Sequence, residues 1–273
     1  MEILLKILCL ILIGATTTVA QDRDEEWDAY IAFYENGHPG STTLRMDLID
    51  KAPIEEFPYV LVTGITYETS REDGFPEGET FQILYKLEDE LVELVAKETE
   101  SVIVGSFTYK QERLEYLYIK GEVGLKRKIE DFYAENFPEY EFYLKIEEDK
   151  DWSHYREFLY PNEETLDYMA DEAVIRHLKE AGDPLTKARR VDHYLYFPTK
   201  LDMAKCAEEL KKLNFLIQFS GKNEKSSLPF ELQVYRVDQV DIESIYSITS
   251  KLRKAAEEYN GDYDGWETSV EKE

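Results

Sequence analysis

The alternation of apolar and polar residues along this chain lays out one order of elements, and then lays it out again. In the first half, Tyr59–Thr66 reads as a β-rich run. Thr80–Lys97 follows with Phe81, Leu84, Leu87, Leu91, Leu94 and Val95 at helical spacing. Val102–Lys110 and Leu114–Ile119 predict two strands joined at Gln111-Glu112-Arg113. A second helix carries Leu125, Ile129, Phe132, Tyr133 and Phe137 and stops at Pro138, where the backbone amide is lost. Phe142, Leu144 and Ile146 alternate with Tyr143, Lys145 and Glu147 in a closing strand. The order is β-α-β-β-α-β, preceded by a hairpin, Trp27–Tyr34 and Ser41–Leu48.

The second half repeats it. Arg190–Phe197 predicts a strand, and Thr199-Lys-Leu-Asp202 is a capping box that opens a helix bearing Met203, Cys206, Leu210 and Leu213. Phe215–Ser220 and Pro229–Val237 form the inner hairpin across a polar loop. Asp241 caps a helix with Ile242, Ile245, Ile248, Leu252, Ala256 and Tyr259 on one face. Trp266–Val270 is the expected last strand. An additional helix, Thr165–Glu180, precedes this unit. The expected fold class is α+β: two ferredoxin-like βαββαβ domains with antiparallel sheets and an N-terminal hairpin extension. The expected boundaries are 1–20 for a leader, 21–148 for the first domain, 149–163 for a linker and 164–273 for the second domain.

Charge narrows the partners. With 32 basic and 58 acidic residues the formal net charge is −26. Nucleic-acid affinity comes largely from Lys and Arg displacing phosphate counterions, so direct DNA or RNA binding is disfavoured, as is adhesion to anionic lipid. A protein partner is compatible. Two tyrosine-bearing strand faces, Asp192/Tyr194/Tyr196 and Leu114/Tyr116/Tyr118, share the parity that points away from the helices. Such faces serve as docking surfaces or pack against another sheet, and sheet-to-sheet packing between the two halves is the expected arrangement.

At the N-terminus, Ile7–Ile13 is too short an apolar run to span a bilayer comfortably, and Thr18 and Ala20 supply small side chains. Residues 1–20 read as a signal peptide, which makes the protein periplasmic or secreted and membrane-free once the leader is removed; the alternative is a cytoplasmic protein. Cys206 is then the sole cysteine, on an apolar stripe, so no intrachain disulfide is expected.

Candidate chemistry is sparse. His193 shares strand parity with Val191, Leu195 and Phe197 and points at the helices, where a buried, hydrogen-bonded ring outweighs a hydrolase-type role. No metal site and no cofactor is expected, because no histidine pair has helical zinc spacing and no cysteine pair exists. Lys187, Arg189 and Arg190 form a compact basic cluster just before a strand. In Asp262-Tyr263-Asp264-Gly265-Trp266, the two aromatics are expected to fold onto a core while the two carboxylates stay wet. With His193, these residues are the candidate partner-binding set.

Several stretches carry a resemblance. Asp171-Glu-Ala-Val-Ile-Arg-His-Leu, Gly182-Asp-Pro, Val191-Asp-His193 and Tyr259…Asp262-Tyr-Asp-Gly-Trp266 make the second half similar to the family of the regulator of ribonuclease E activity B. Trp27-Asp28, Ala52-Pro53, Phe57-Pro58-Tyr59, Asp73-Gly-Phe-Pro76 and Tyr116-Leu-Tyr118 make the first half similar to an uncharacterised bacterial domain, domain of unknown function six-nine-five. The resemblance implies a non-enzymatic, acidic α/β protein that binds an endonuclease and restrains it. An exported interaction module with an unidentified protein partner and a cytoplasmic ribonuclease regulator therefore both stand, since a cytoplasmic nuclease is out of reach of an exported protein.

Overall fold

A computed structural model describes residues 25–34, 37–223 and 227–272. The expected leader, residues 1–20, lies outside them. The chain divides into two compact units, one ending at Thr165 and the other running from Leu166 to Glu273.

The N-terminal unit contains β1 (Trp27–Phe33), β2 (Pro39–Arg45), β3 (Tyr59–Thr66), α1 (Thr80–Glu98), β4 (Ser101–Tyr109), β5 (Glu112–Ile119), α2 (Leu125–Asn136) and β6 (Glu141–Glu148). Its sheet runs β1-β2-β4-β5-β3-β6 with every neighbouring pair antiparallel. The last four of these strands form the βαββαβ core, and the early hairpin extends the sheet beyond β4. The helical stripes behave as their spacing predicts: Leu84, Leu87, Leu91 and Val95 of α1 and Leu125, Ile129, Phe132 and Tyr133 of α2 close over Leu61, Ile65, Leu117 and Ile119. Burying each such side chain stabilises the fold by roughly 2 kcal/mol.

Backbone space sets the register at Gly64, where an added Cβ would sit 1.8 Å from the Arg113 carbonyl oxygen. Gly64→Ala is therefore expected to destabilise this unit by about 1–3 kcal/mol, read as a lower urea midpoint. An unchanged midpoint would show that the strands part freely here. The β4–β5 turn is tighter than expected. Lys110 and Gln111, with φ of 48° and 67°, make a two-residue reversal of the hand that hairpin twist favours, so β5 begins at Glu112.

Residues 149–163, read from sequence as a linker, contain fully buried Trp152, Tyr155 and Leu159. They cross the sheet face opposite the helices and form a π-helical turn, His154–Leu159. The Tyr118 ring stacks on Trp152 with centroids 3.9 Å apart, and its hydroxyl donates to Asp149 at 2.6 Å. Trp152 Nε1 donates to the Phe57 carbonyl, and the Tyr155 and Tyr30 hydroxyls donate to the Arg45 and Leu159 carbonyls. Tyr116 and Tyr118, expected on an open face, are covered by this segment.

The C-terminal unit contains α3 (Glu163–Glu180, which starts ahead of the unit's first residue), β7 (Arg189–Phe197), α4 (Lys200–Lys212), β8 (Leu216–Lys222), β9 (Phe230–Asp238), α5 (Ile242–Glu258) and β10 (Asp262–Thr268). Its antiparallel order is β10-β7-β9-β8. Thr199 Oγ1 accepts the Asp202 amide and Asp241 Oδ1 the Ser244 amide, so both predicted caps form. The closing strand starts four residues earlier than expected, at Asp262, which places the Asp-Tyr-Asp-Gly-Trp segment within the strand itself.

Candidate functional site

Strand alternation divides β7 cleanly. Val191, His193, Leu195 and Phe197 are fully buried toward the helices, and Asp192, Tyr194 and Tyr196 lie half-buried on the other face. In β10 simple alternation fails, because Tyr263 and Trp266 are three apart and would point to opposite sides. A bulge resolves this. Tyr263 pairs with Leu195 and Gly265 with Tyr194, leaving Asp264 without a cross-strand partner. Gly265 supplies the φ of 148° that the extra residue requires, and both aromatics reach the helix side.

Once inside, these residues hold one another. The Tyr263 hydroxyl is 2.9 Å from His193 Nδ1. Trp266 Nε1 donates to Asp171 Oδ1 at 3.0 Å, and Asp171 Oδ2 accepts the Thr249 hydroxyl at 2.5 Å. Arg253 pairs with Asp167 and Asp171 and lies over the Tyr263 ring. A fully buried carboxylate thus ties α3, α5 and β10 together. Asp171 was not among the sequence candidates as a functional side chain. Arg189, also a candidate, is buried with Nη2 2.7 Å from Asp183 Oδ2. Burial raises the Asp183 pKa, but the Glu271 and Leu185 amides and Arg189 outweigh it and leave the carboxyl below its usual range.

His193 is fully buried, and its Nε2 has no hydrogen-bond partner among the described residues. Burial, with Arg236 and Arg253 adding to it, lowers its pKa to about 3, so the ring is neutral at physiological pH. A general base needs access to substrate, and this imidazole is sealed.

Of the candidate set, Asp262, Asp264, Lys187 and Arg190 are exposed. Arg190 is held by both oxygens of Asp192 and by Gln218, with its guanidinium 3.8 Å above the Tyr235 ring. Asp262 is paired in register with Tyr196, which is paired with Glu231 across β7–β9. Partial burial raises the Asp264 pKa, and Asp262 and Glu231 push it the same way. The Tyr194 hydroxyl donates to Glu267 at 2.6 Å. The face away from α3, α4 and α5 therefore presents Tyr194 and Tyr196 among Asp192, Asp262, Asp264 and Glu267, with Tyr235 under Arg190 and Glu231 buried beside them. Tyr235 and Glu231 escaped the sequence reading because their importance depends on the β7–β9 register, which strand periodicity alone does not give.

In the N-terminal unit, a hollow of about 530 Å³ is lined by Tyr116, Ser153, His154, Glu157 and Phe158. His154 Nδ1 lies 3.0 Å from Asp149 Oδ2. Burial raises the Asp149 pKa, but the His154 and Ser153 amides and the Tyr118 hydroxyl outweigh it and hold the carboxyl well below the usual range. A second buried carboxylate, Glu115, accepts from Arg113 Nε at 2.7 Å, while Arg113 Nη2 reaches Glu88 at 2.6 Å. Burial outweighs Arg113 and lifts Glu115 to about 7. Cys206 is buried, and burial raises its thiol pKa to about 12. Among the described residues no three His, Cys, Asp or Glu side chains group to hold a metal ion, and no helix is long and apolar enough to cross a membrane.

Comparison with known families agrees with the two-part organisation. Residues 25–160 match the family of unknown function DUF695, and residues 169–268 match the family described as regulator of ribonuclease activity B. The second match takes in most of α3 and the whole βαββαβ core that follows. No curated protein matches the chain.

Proposed function

We propose that this chain is a non-catalytic regulatory module that binds a protein partner through the tyrosine- and carboxylate-bearing face of its C-terminal sheet. The observation that carries the reading is the match of residues 169–268 to a ribonuclease-regulator family. The geometry adds which face to test. Tyr263, Trp266 and His193 are engaged in internal contacts, whereas Tyr194, Tyr196 and Tyr235 lie half-buried beside carboxylates. Tyrosines give large contact area at low entropy cost, and the surrounding acids favour a cationic partner segment and oppose phosphate.

The partner depends on location. A ribonuclease partner goes with a cytoplasmic protein. The apolar stretch at residues 7–13, outside the described residues, favours export and a different, envelope partner. Mass spectrometry of the natural protein separates the two: an N-terminus at Gln21 in an envelope fraction removes the ribonuclease role.

The binding reading is tested with purified endoribonuclease from the same source. Titration calorimetry is expected to give a saturable complex that weakens as salt rises, and RNA cleavage is expected to slow when the chain is added. Tyr196→Ala is expected to weaken the complex tenfold or more, with the melting temperature held. Equal binding by this variant moves the interface off the face; no complex at all removes this nuclease as the partner.

A further inference from the structure

We infer that β1 is a docking edge in the N-terminal unit, where an extended, basic segment of a partner protein adds as a seventh strand. The inference is independent of the C-terminal reading.

Among the described residues, strand β1 is the outermost strand of its sheet and pairs only with β2, through an unbroken register from Trp27↔Arg45 to Phe33↔Pro39. Alternation puts Trp27, Ala29, Ile31 and Phe33 on one face. Ala29 is in line with Thr43, Ser106 and Glu115, and Glu115 packs on the helix side, so the stripe shares the face that α1 and α2 cover. Those helices bury residues of β3, β4, β5 and β6. The hairpin runs past their reach, leaving Trp27 at 38%, Ile31 at 58% and Phe33 at 77% exposed.

Among the described residues no further strand pairs with this edge. Tyr30, on the reverse face, is buried with its hydroxyl on the Leu159 carbonyl, which fixes the strand. Sheet edges are usually blunted by lysine, proline, a bulge or a covering segment. β1 contains no lysine, proline or bulge, and its single charge is Asp28. Ala29 N–H is taken by Asp28 Oδ1 at 2.8 Å. An edge strand and an alternate-residue apolar row are the two features that strand addition uses.

Charge selects the occupant. Glu25, Glu26 and Asp28 cluster at the start of the strand on a chain of net charge −26, Glu25 being paired with Arg45 at 3.0 Å. A second copy brings the same charge to that edge and is opposed. A segment alternating apolar residues with Lys or Arg complements the acids and lays its apolar side chains over Ile31 and Phe33.

The test uses the full chain and a seven-residue peptide alternating valine and lysine, with a valine–glutamate peptide as control. Trp152 is fully buried and Trp266 nearly so, so Trp27 is the environment-sensitive reporter of the edge. The expected result is a saturable blue shift of tryptophan emission with the lysine peptide and none with the glutamate peptide. The charge-neutral double variant Ile31→Ser/Phe33→Ser, at exposed positions, is expected to fold normally and bind at least tenfold more weakly. Equal affinity in that variant, or no binding by either peptide, overturns the proposal. So does sedimentation of the free chain as a dimer that the double variant dissociates, which would give the edge to a second copy.

Discussion

Replacing Asp171 by alanine is expected to destabilise the C-terminal unit by roughly 3–5 kcal/mol, the cost of removing one partner from a buried charged network. The carboxylate holds the Trp266 indole N–H and the Thr249 hydroxyl and faces Arg253, so its loss strands three groups on two elements. Asp167 still pairs with Arg253, which keeps the cost from rising further. Domains of this size are stable by only about 5–15 kcal/mol, so the variant is near the limit of folding. Trp266 is the one tryptophan in this unit, and urea titration followed by its fluorescence reads the change directly. A loss below about 1 kcal/mol would mean that α3 is attached by other contacts.

The second large effect is a pair of opposite pH responses. His193 has a folded pKa of about 3 against an ordinary 6.5. The unfolded chain therefore takes up the proton first, and as pH falls from 6.5 toward 3 the C-terminal unit loses about 4–5 kcal/mol. Glu115 shifts the other way, to about 7 from 4.5. The folded N-terminal unit holds that proton more tightly, so its contribution is complete below pH 4.5 and lost as pH rises through 7. The loss is about 3 kcal/mol. Comparison with His193→Gln and Glu115→Gln isolates each group from the many other carboxylates. The first is expected to flatten acid destabilisation between pH 6.5 and 3. The second is expected to add stability at pH 8 and to leave pH 4.5 unchanged. Denaturation curves that run parallel to wild type at every pH would refute both assignments.

Much of this architecture was legible because its signals are local. Leucine at helical spacing in α1, the caps at Thr199 and Asp241, and alternation in β7 each act over a few residues. What escaped depends on contacts distant in sequence or on one residue out of step. The bulge at Asp264 breaks the period of two, so alternation alone places the start of the strand at Trp266. The Asp-Lys-Asp and Pro-Asn content of residues 149–163 signals a linker, while Trp152, Tyr155 and Leu159 within it are apolar signals pointing inward. Asp171 could not be distinguished as a buried hub among 58 acidic residues, since only the folded chain brings Trp266 to it. The candidate site was readable in part. Sequence placed Tyr194 and Tyr196 on the face away from the helices, but adding Tyr235 and Glu231 needed the register.

The unpaired residue in β10 also gives the chain a place where its length can change at little cost. Without Asp264, Tyr263 would stand two positions from the tryptophan, an ordinary same-side spacing, and the pairings with Leu195, Tyr194 and His193 could persist. The interior has no use for this amino acid. A shortened chain would bury the same rings and lose one negative charge from the opposite surface, so the deletion separates what the domain needs to fold from what it displays.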